Sequence, residues 1–396
     1  MNHPLSGIRV LDLSQVYNGP YATYLMATAG ADVIKIEPPG GEFLRQRDAR
    51  PGSSIPFTML NGNKRSVSLN LKTEAGRDLF LKLVPDADVV LENFAPGVMA
   101  RLKIDYETLS AINPRVVFAS GSGYGQTGPY RDYPAMDLTV QAMSGVVSST
   151  GFSEHPPVKA GAAICDFFGG VHLYGAVVTA LFQRERTGIG AQLDVSMLDA
   201  VYPSLASSIG GAYGESDDLP PRTGNQHGGL SLCPYNIYQA RDGYIAVLCN
   251  HEKHWQALLR AMQRSDLAEH PQYSSMRGRV EQMAQVDALI DAWTRTLDRS
   301  EVFDRLIAER VPCAPVRELA ETLDDPHMHE RGMLMKVAHP TFGEVTICRS
   351  PLKFVGQPPP AWIMPPTYGQ HNEEIYGGDL GLDSAKLAAL SQQGVI

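Results

Sequence analysis

Short apolar runs and stretches of helical period take turns over the first 120 residues. Residues 8–13 (IRVLDL) read as a buried strand, residues 20–29 as a helix stopping at Gly30, and residues 32–37 (DVIKIE) as the next strand. Residues 69–72 lead into a helix that puts Leu79, Phe80, Leu83 and Val84 on one face. A strand at 88–91 follows, then Pro96 at a first helical position, a short helix at 106–112 and a strand at 115–120 (RVVFAS). Strand–helix alternation with almost continuously apolar strands predicts a parallel sheet covered on both faces. Such sheets take their ligands at the carboxyl ends of the strands.

Residues 166–186 form a long, mostly apolar helical pattern closed by Arg184, Arg186 and Gly188. A strand at 192–197 (QLDVSM) and a helix at 198–208 come next. Composition then shifts: residues 210–229 are rich in Gly, Pro, Ser and Asp and read as a linker or loop. Residues 235–239 and 244–248 read as a hairpin about Arg241, Asp242 and Gly243. Helical patterns at 254–263, 282–296 and 300–310 precede a break at 312–315. A strand at 344–347, a Pro-rich connector at 358–366 and a helix at 384–392 complete the chain. The economical arrangement is a large α/β unit with a smaller one inserted near 220–325.

With 396 residues, 43% of them hydrophobic, the chain is long enough for one large core or two unequal ones. Its net charge of −9 lacks the basic surplus of a duplex nucleic-acid binder but leaves room for a local basic pocket. The start, MNHPLSGIRVLDLS, has no signal-peptide pattern, and the apolar run 169–182 contains His172 and falls short of a membrane span. These features predict a soluble protein with neither nucleic-acid nor membrane partner. Five scattered cysteines (Cys165, Cys233, Cys249, Cys313, Cys348) without a CxxC suit a reducing cytoplasm, not a disulfide frame or zinc site.

Gly123, Gly125 and Gly128 spell GxGxxG after a strand, but Pro129 to Pro134 (PYRDYP) is turn chemistry where a dinucleotide fingerprint opens a helix. A loop permitting close backbone approach is the better reading. His251 and His254 lack a third metal ligand nearby, and Asn250 reads as an N-cap before a first helical turn. Ser350 and Lys353 match SxxK without its companion motifs, and there is no GxSxG elbow. Asp166 stands at the start of the long helix with Gly169 and Gly170 beside it. As a cap it would be structural; as a carboxylate kept ionised by free N–H groups it would be a nucleophile for an activated acyl group. Residue types alone leave both open.

The segments PLSGIRVLDLSQVYNGPYAT, GADVIKIEPPGGE, NKRSVSLNLKTEAGR, ADVVLENFAPGVMARL, NPRVVFASGSGYGQTGPY, ICDFFGGVHL and RTGIGAQLDVSMLDAV carry a resemblance, as do RTGNQH, PYNIYQARDGYIAV, VPCAPV and GQHNEEIY. Nearly end to end, the chain resembles the class III CoA-transferases, the group of formyl-CoA and carnitine CoA-transferases and α-methylacyl-CoA racemases. The resemblance implies an α/β fold. Its large Rossmann-like, CoA-binding domain would be built from residues 1–209 and 326–396, with a linker and small domain at 210–325, in an interlocked homodimer. It implies Asp166 as catalytic nucleophile, passing through an aspartyl mixed anhydride and an aspartyl-CoA thioester. Val16, Leu69, Lys72, Asn93, Phe94, Arg101 and Met197 match the family's CoA cradle, and Asp137 an acidic position near the nucleophile. CoA and acyl-CoA are then substrates, with no permanently bound cofactor and no metal.

Two departures count against formyl-CoA/oxalate specificity: Pro38 replaces a basic residue, and Gly224-Asn-Gln-His-Gly-Gly229 replaces a glycine-only loop. Gln226, His227, Gly228 and Gly229 are expected to bind substrate or act as a lid. Racemases need a histidine as second base where this chain has Met136, which disfavours racemisation. Arg45, Arg47, Arg222 and His227 lie in loops, so the expected donor is succinyl-CoA and the expected acceptor a dicarboxylate. A CoA-binding paralogue without turnover is the competing class.

Overall fold

The computed structural model describes residues 3–47, 54–213 and 220–396; part of the loop expected at 210–229 therefore lies outside the described residues. Two compact units emerge. Met1–Val140, Ala162–Val201 and Asp325–Ile396 form the first, and Gln141–Gly161 with Tyr202–Asp324 form the second.

The first unit is organised by a six-stranded sheet: β1 (Arg9–Asp12), β2 (Asp32–Glu37), β3 (Arg65–Ser68), β4 (Val89–Glu92), β5 (Val117–Ser122) and β6 (Ala191–Ser196). Its spatial order is β3-β2-β1-β4-β5-β6 and every pairing is parallel. Consecutive apolar residues in β1, β2 and β4 are buried because helices cover both faces. One core packs Leu11, Ile34, Val67, Val90 and Phe118 with Phe80, Ile375 and Tyr376. The other packs Val10, Val89 and Val117 against Met26 of the first helix (Asn18–Thr28) and Leu173, Val177 and Leu181 of the long helix (Ile164–Thr187). By length and composition that 24-residue helix is apolar enough to cross a membrane, so the shorter run read from sequence understated it. It ends at Gly188, whose φ of +73° lets its N–H close on the Arg184 carbonyl at 2.8 Å.

The second unit holds a three-stranded sheet, β7 (Tyr235–Ala240), β8 (Gly243–Leu248) and β9 (Cys313–Pro315), with helices around Trp255, Leu258, Ile290 and Leu306. Within the break expected at 312–315, Cys313–Pro315 is an edge strand, with Ile245 opposite Pro315; an edge tolerates proline. The helix expected at 198–208 is divided into Met197–Val201, a tight turn Tyr202–Leu205 and Ala206–Ala212, consistent with Pro203 lacking an N–H. His251, not Asn250, is the N-cap of helix Glu252–Ala261, its Nδ1 accepting the His254 N–H at 3.3 Å. Strands β3, β9 and β10 (Leu334–His339) were not apparent from periodicity; β10 pairs antiparallel with β11 (Gly343–Cys348).

Charges are buried beneath this sheet. Lys64 Nζ lies 3.0 Å from Asp12 and donates also to Thr23 Oγ1, Asn61 Oδ1 and the Pro20 carbonyl. Burial works to raise Asp12, but Lys64 and Lys35, with the Ser14 and Thr23 hydroxyls, take it down to about 2. Lys64→Met would strand Asp12 without its main partner. The expected loss is ~3–5 kcal/mol, read from the denaturant midpoint; a loss below ~1 kcal/mol would show the pair is dispensable.

Candidate active site

The loops after four strands of the sheet, β1, β4, β5 and β6, meet at one cavity of about 540 Å³. After β1 come Gln15, Val16 and Asn18; after β4, Asn93 to Pro96; after β5, Gly123 and Tyr124; after β6, Met197. The strand order reverses between β1 and β4, which opens a crevice for ligands. Two devices fix its walls. Asn93 accepts from the Gln15 N–H and donates to the Gln15 carbonyl, both at 2.8 Å. Val16, held at a φ of +66° that a β-branched residue rarely adopts, donates its N–H to buried Glu42 at 3.0 Å.

Asp166 lines this cavity as the third residue of the long helix, so it is not the helix cap. That task falls to Asp137, whose Oδ1 accepts the N–H groups of Cys165 at 2.9 Å and Asp166 at 3.2 Å. Asp137 is thus a remote cap, an anion placed at the positive end of the helix. Asp166 receives the opposite treatment. Burial first, and then the charge of Asp137, push its carboxyl up to about 7, against the sequence expectation of a carboxylate kept ionised by free N–H groups. Nor are Gly169 and Gly170 free donors: they lie beyond the first turn, where N–H groups are spent on the helix ladder. They provide room instead, since a β-carbon on Gly170 would stand 2.6 Å from the Asn18 carbonyl oxygen. The neighbouring Cys165 thiol is buried and pushed up to about 12, so it stays protonated at neutral pH.

Of the positions singled out in the sequence, Val16, Asn93, Phe94, Arg101, Asp137, Asp166 and Met197 line the cavity together. Leu69 is instead a buried core residue, and Lys72 is exposed and outside the lining. Gln226, His227, Gly228 and Gly229 belong to the second unit. There Gln226 donates to Asp287 at 2.8 Å, and His227 Nδ1 accepts from Gly229 at 3.2 Å. Arg45 is committed to Glu37 at 2.6 and 2.7 Å and stacks over Phe57, while Arg222 is bound to the carbonyls of Phe152, Ser153 and His155. Arg47 remains on the surface, donating to the Tyr17 hydroxyl at 2.5 Å, and the Tyr17 ring stacks on Phe167, the neighbour of Asp166.

Sequence reasoning missed Arg131, Tyr124 and Tyr133, which line the cavity beside Arg101. Their signal was the PYRDYP turn itself, polar and aromatic directly after the glycine loop. Gly123 in that loop is set by packing, because a β-carbon there would meet that of Ala135 at 2.0 Å. Arg101 and Arg131 give the cavity two cations suited to phosphates.

The description "CoA-transferase family III" matches residues 5–372 of the chain. A formyl-CoA:oxalate CoA-transferase of Streptomyces coelicolor is 38% identical, covering 99% of both chains. A succinyl-CoA:mesaconate CoA-transferase of Haloarcula marismortui is also 38% identical, covering 96% of this chain and 97% of its own. Among solved structures, a CAIB/BAIF family protein from Brucella suis superimposes with a TM-score of 0.82 at 32% identity, covering 95% of this chain and 99% of its own. The chain belongs to CoA-transferase family III.

Proposed function

We propose that this CoA-transferase works through Asp166, moving CoA from an acyl-CoA donor to a small dicarboxylic acid. The observation that carries the reading is a single one: a carboxylate poised near neutrality in a cavity that also presents Arg101 and Arg131. An Asp166 oxygen attacks the thioester carbon and the C–S bond breaks, leaving an aspartyl–acyl anhydride and CoA thiolate. The thiolate attacks the aspartyl carbon and releases the donor acid, giving an aspartyl-CoA thioester. The acceptor carboxylate then attacks that thioester to give a second anhydride, and returning thiolate takes the new acyl group, freeing Asp166. No step needs a second base. Met136 lines the cavity where a racemase would place one, which supports transfer over racemisation.

Oxalate and mesaconate, named for the two relatives, are both dicarboxylates, and of Arg45, Arg47 and Arg222 it is Arg47 that is not consumed by a buried or backbone network. We assign it the distal carboxylate of the acceptor, with succinyl-CoA as donor. Leu69 and Lys72 are assigned to the CoA cradle, and Gln226 to Gly229 to substrate contact, on the family resemblance alone. The same resemblance supports dividing the chain at 1–209, 210–325 and 326–396 and an interlocked homodimer, and the scattered cysteines support a cytoplasmic location. Phe168, Val171 and Phe182, exposed along the long helix, favour such pairing.

CoA exchange from succinyl-CoA to a series of dicarboxylates, followed chromatographically, tests the chemistry. Asp166→Ala is expected to lose turnover by about 10³-fold or more. Arg47→Gln should raise acceptor KM about tenfold with donor KM unchanged. Because attack requires the ionised form, kcat/KM for the donor should climb with pH and level off above about 7. A flat profile down to pH 5, or full activity in Asp166→Ala, would contradict the assignment. Sedimentation across a dilution series should show dimer wherever the chain is folded; folded monomer would exclude interlocking.

A further inference from the structure

Asn18 opens the first helix and is 3% exposed, yet neither atom of its carboxamide finds a hydrogen-bond partner among the described residues. Buried polar groups left in this state are uncommon in native proteins and call for a reason. Two glycines make the place it occupies. A β-carbon on Gly121 would stand 2.4 Å from Asn18 Oδ1, and one on Gly169 would stand 2.2 Å from Asn18 Nδ2. The carboxamide therefore lies in a slot between the end of β5 and the long helix. Asn18, Gly121, Asp166 and Met197 line the same cavity. Gly169 follows Asp166 by three residues, so Nδ2 rests against the helix face that carries the Asp166 carboxylate.

Asp137 occupies the first N–H groups of the long helix and the glycine N–H groups belong to its ladder, so neither offers a donor to the acyl oxygen, and Arg101 and Arg131 are read as partners of the phosphates. We propose that Asn18 supplies that donor, donating from Nδ2 to the acyl oxygen while Asp166 attacks. This rests on the reading of Asp166 as nucleophile. As the Asp166 oxygen bonds to the thioester carbon, the carbonyl electron pair moves onto oxygen and is held by the Asn18 N–H. The pair returns when the C–S bond breaks and CoA leaves as thiolate. No proton is transferred, and Asn18 stays neutral throughout. A donor fixed in a slot before substrate arrives requires no reorganisation during the reaction, which is where such groups are most effective.

The test compares Asn18→Ala and the isosteric Asn18→Asp with wild type in steady-state kinetics and thermal melting. Both variants are expected to lose about 10²-fold in kcat, with KM for donor and acceptor within about threefold. Thermal melting checks that each variant is folded at the assay temperature, so that a fall in kcat is not a loss of folded enzyme. A kcat within threefold of wild type in either variant would overturn the assignment, as would a loss confined to KM. If Asn18→Ala does not fold, the kcat of Asn18→Asp decides by the same threshold. Asp166→Ala separates the two ideas. Retained turnover there defeats the nucleophile reading, whereas its loss beside a fully active Asn18 variant defeats only the role of Asn18.

Discussion

At the start of the long helix two carboxylates stand beside one set of free N–H groups, and Asp137 takes them. Much of the site follows from that allocation. Capped by a residue 28 and 29 positions away in the chain, the helix begins two residues before Asp166 and projects it into the cavity. Buried, and facing the Asp137 charge, the Asp166 carboxyl is pushed up to about 7. A carboxylate relieved of strong hydrogen bonds is a better nucleophile than a capping one, which is the role proposed for Asp166. The dipole that would otherwise have over-stabilised Asp166 is spent on its neighbour.

The sheet supplies the room. Parallel order with a reversal between β1 and β4 makes two loops diverge over one crevice, and the Gln15–Asn93 pair ties those loops together. Beneath them, Lys35 donates to the Ser14 carbonyl at 2.9 Å, and Glu42 holds the strained Val16. Buried charge here does positional work: Lys64, Asp12, Lys35 and Glu42 lie under the wall residues and fix how the β1 loop turns into the first helix. Glycines complete the design by absence of side chain, with Gly121 and Gly169 clearing the space that Asn18 fills.

Local pattern made much of this legible. Asp32–Glu37, Tyr106–Ile112 and Ser384–Gln392 are bounded as their periodicity and caps predict, and the parallel sheet follows from alternation. Elements whose residues do not look like their class were missed: β3 reads RSVS, and β9 ends in a proline. Where the long-range partner decides, sequence reading failed in a consistent way. Arg45 and Arg222 looked like free cations but are spent on Glu37 and on backbone carbonyls. Asn18 attracted no attention, because its meaning depends on glycines 103 and 151 residues further along the chain that only folding brings beside it.

The central claim is that the Asp166 carboxylate becomes covalently bound to acyl and CoA groups, and quenching turnover with hydroxylamine addresses it directly. After incubation with succinyl-CoA, peptide mass spectrometry should find a hydroxamate at Asp166 in wild type and none at that peptide in Asp166→Ala. Turnover with no adduct at Asp166, or an adduct at another residue, would contradict the account.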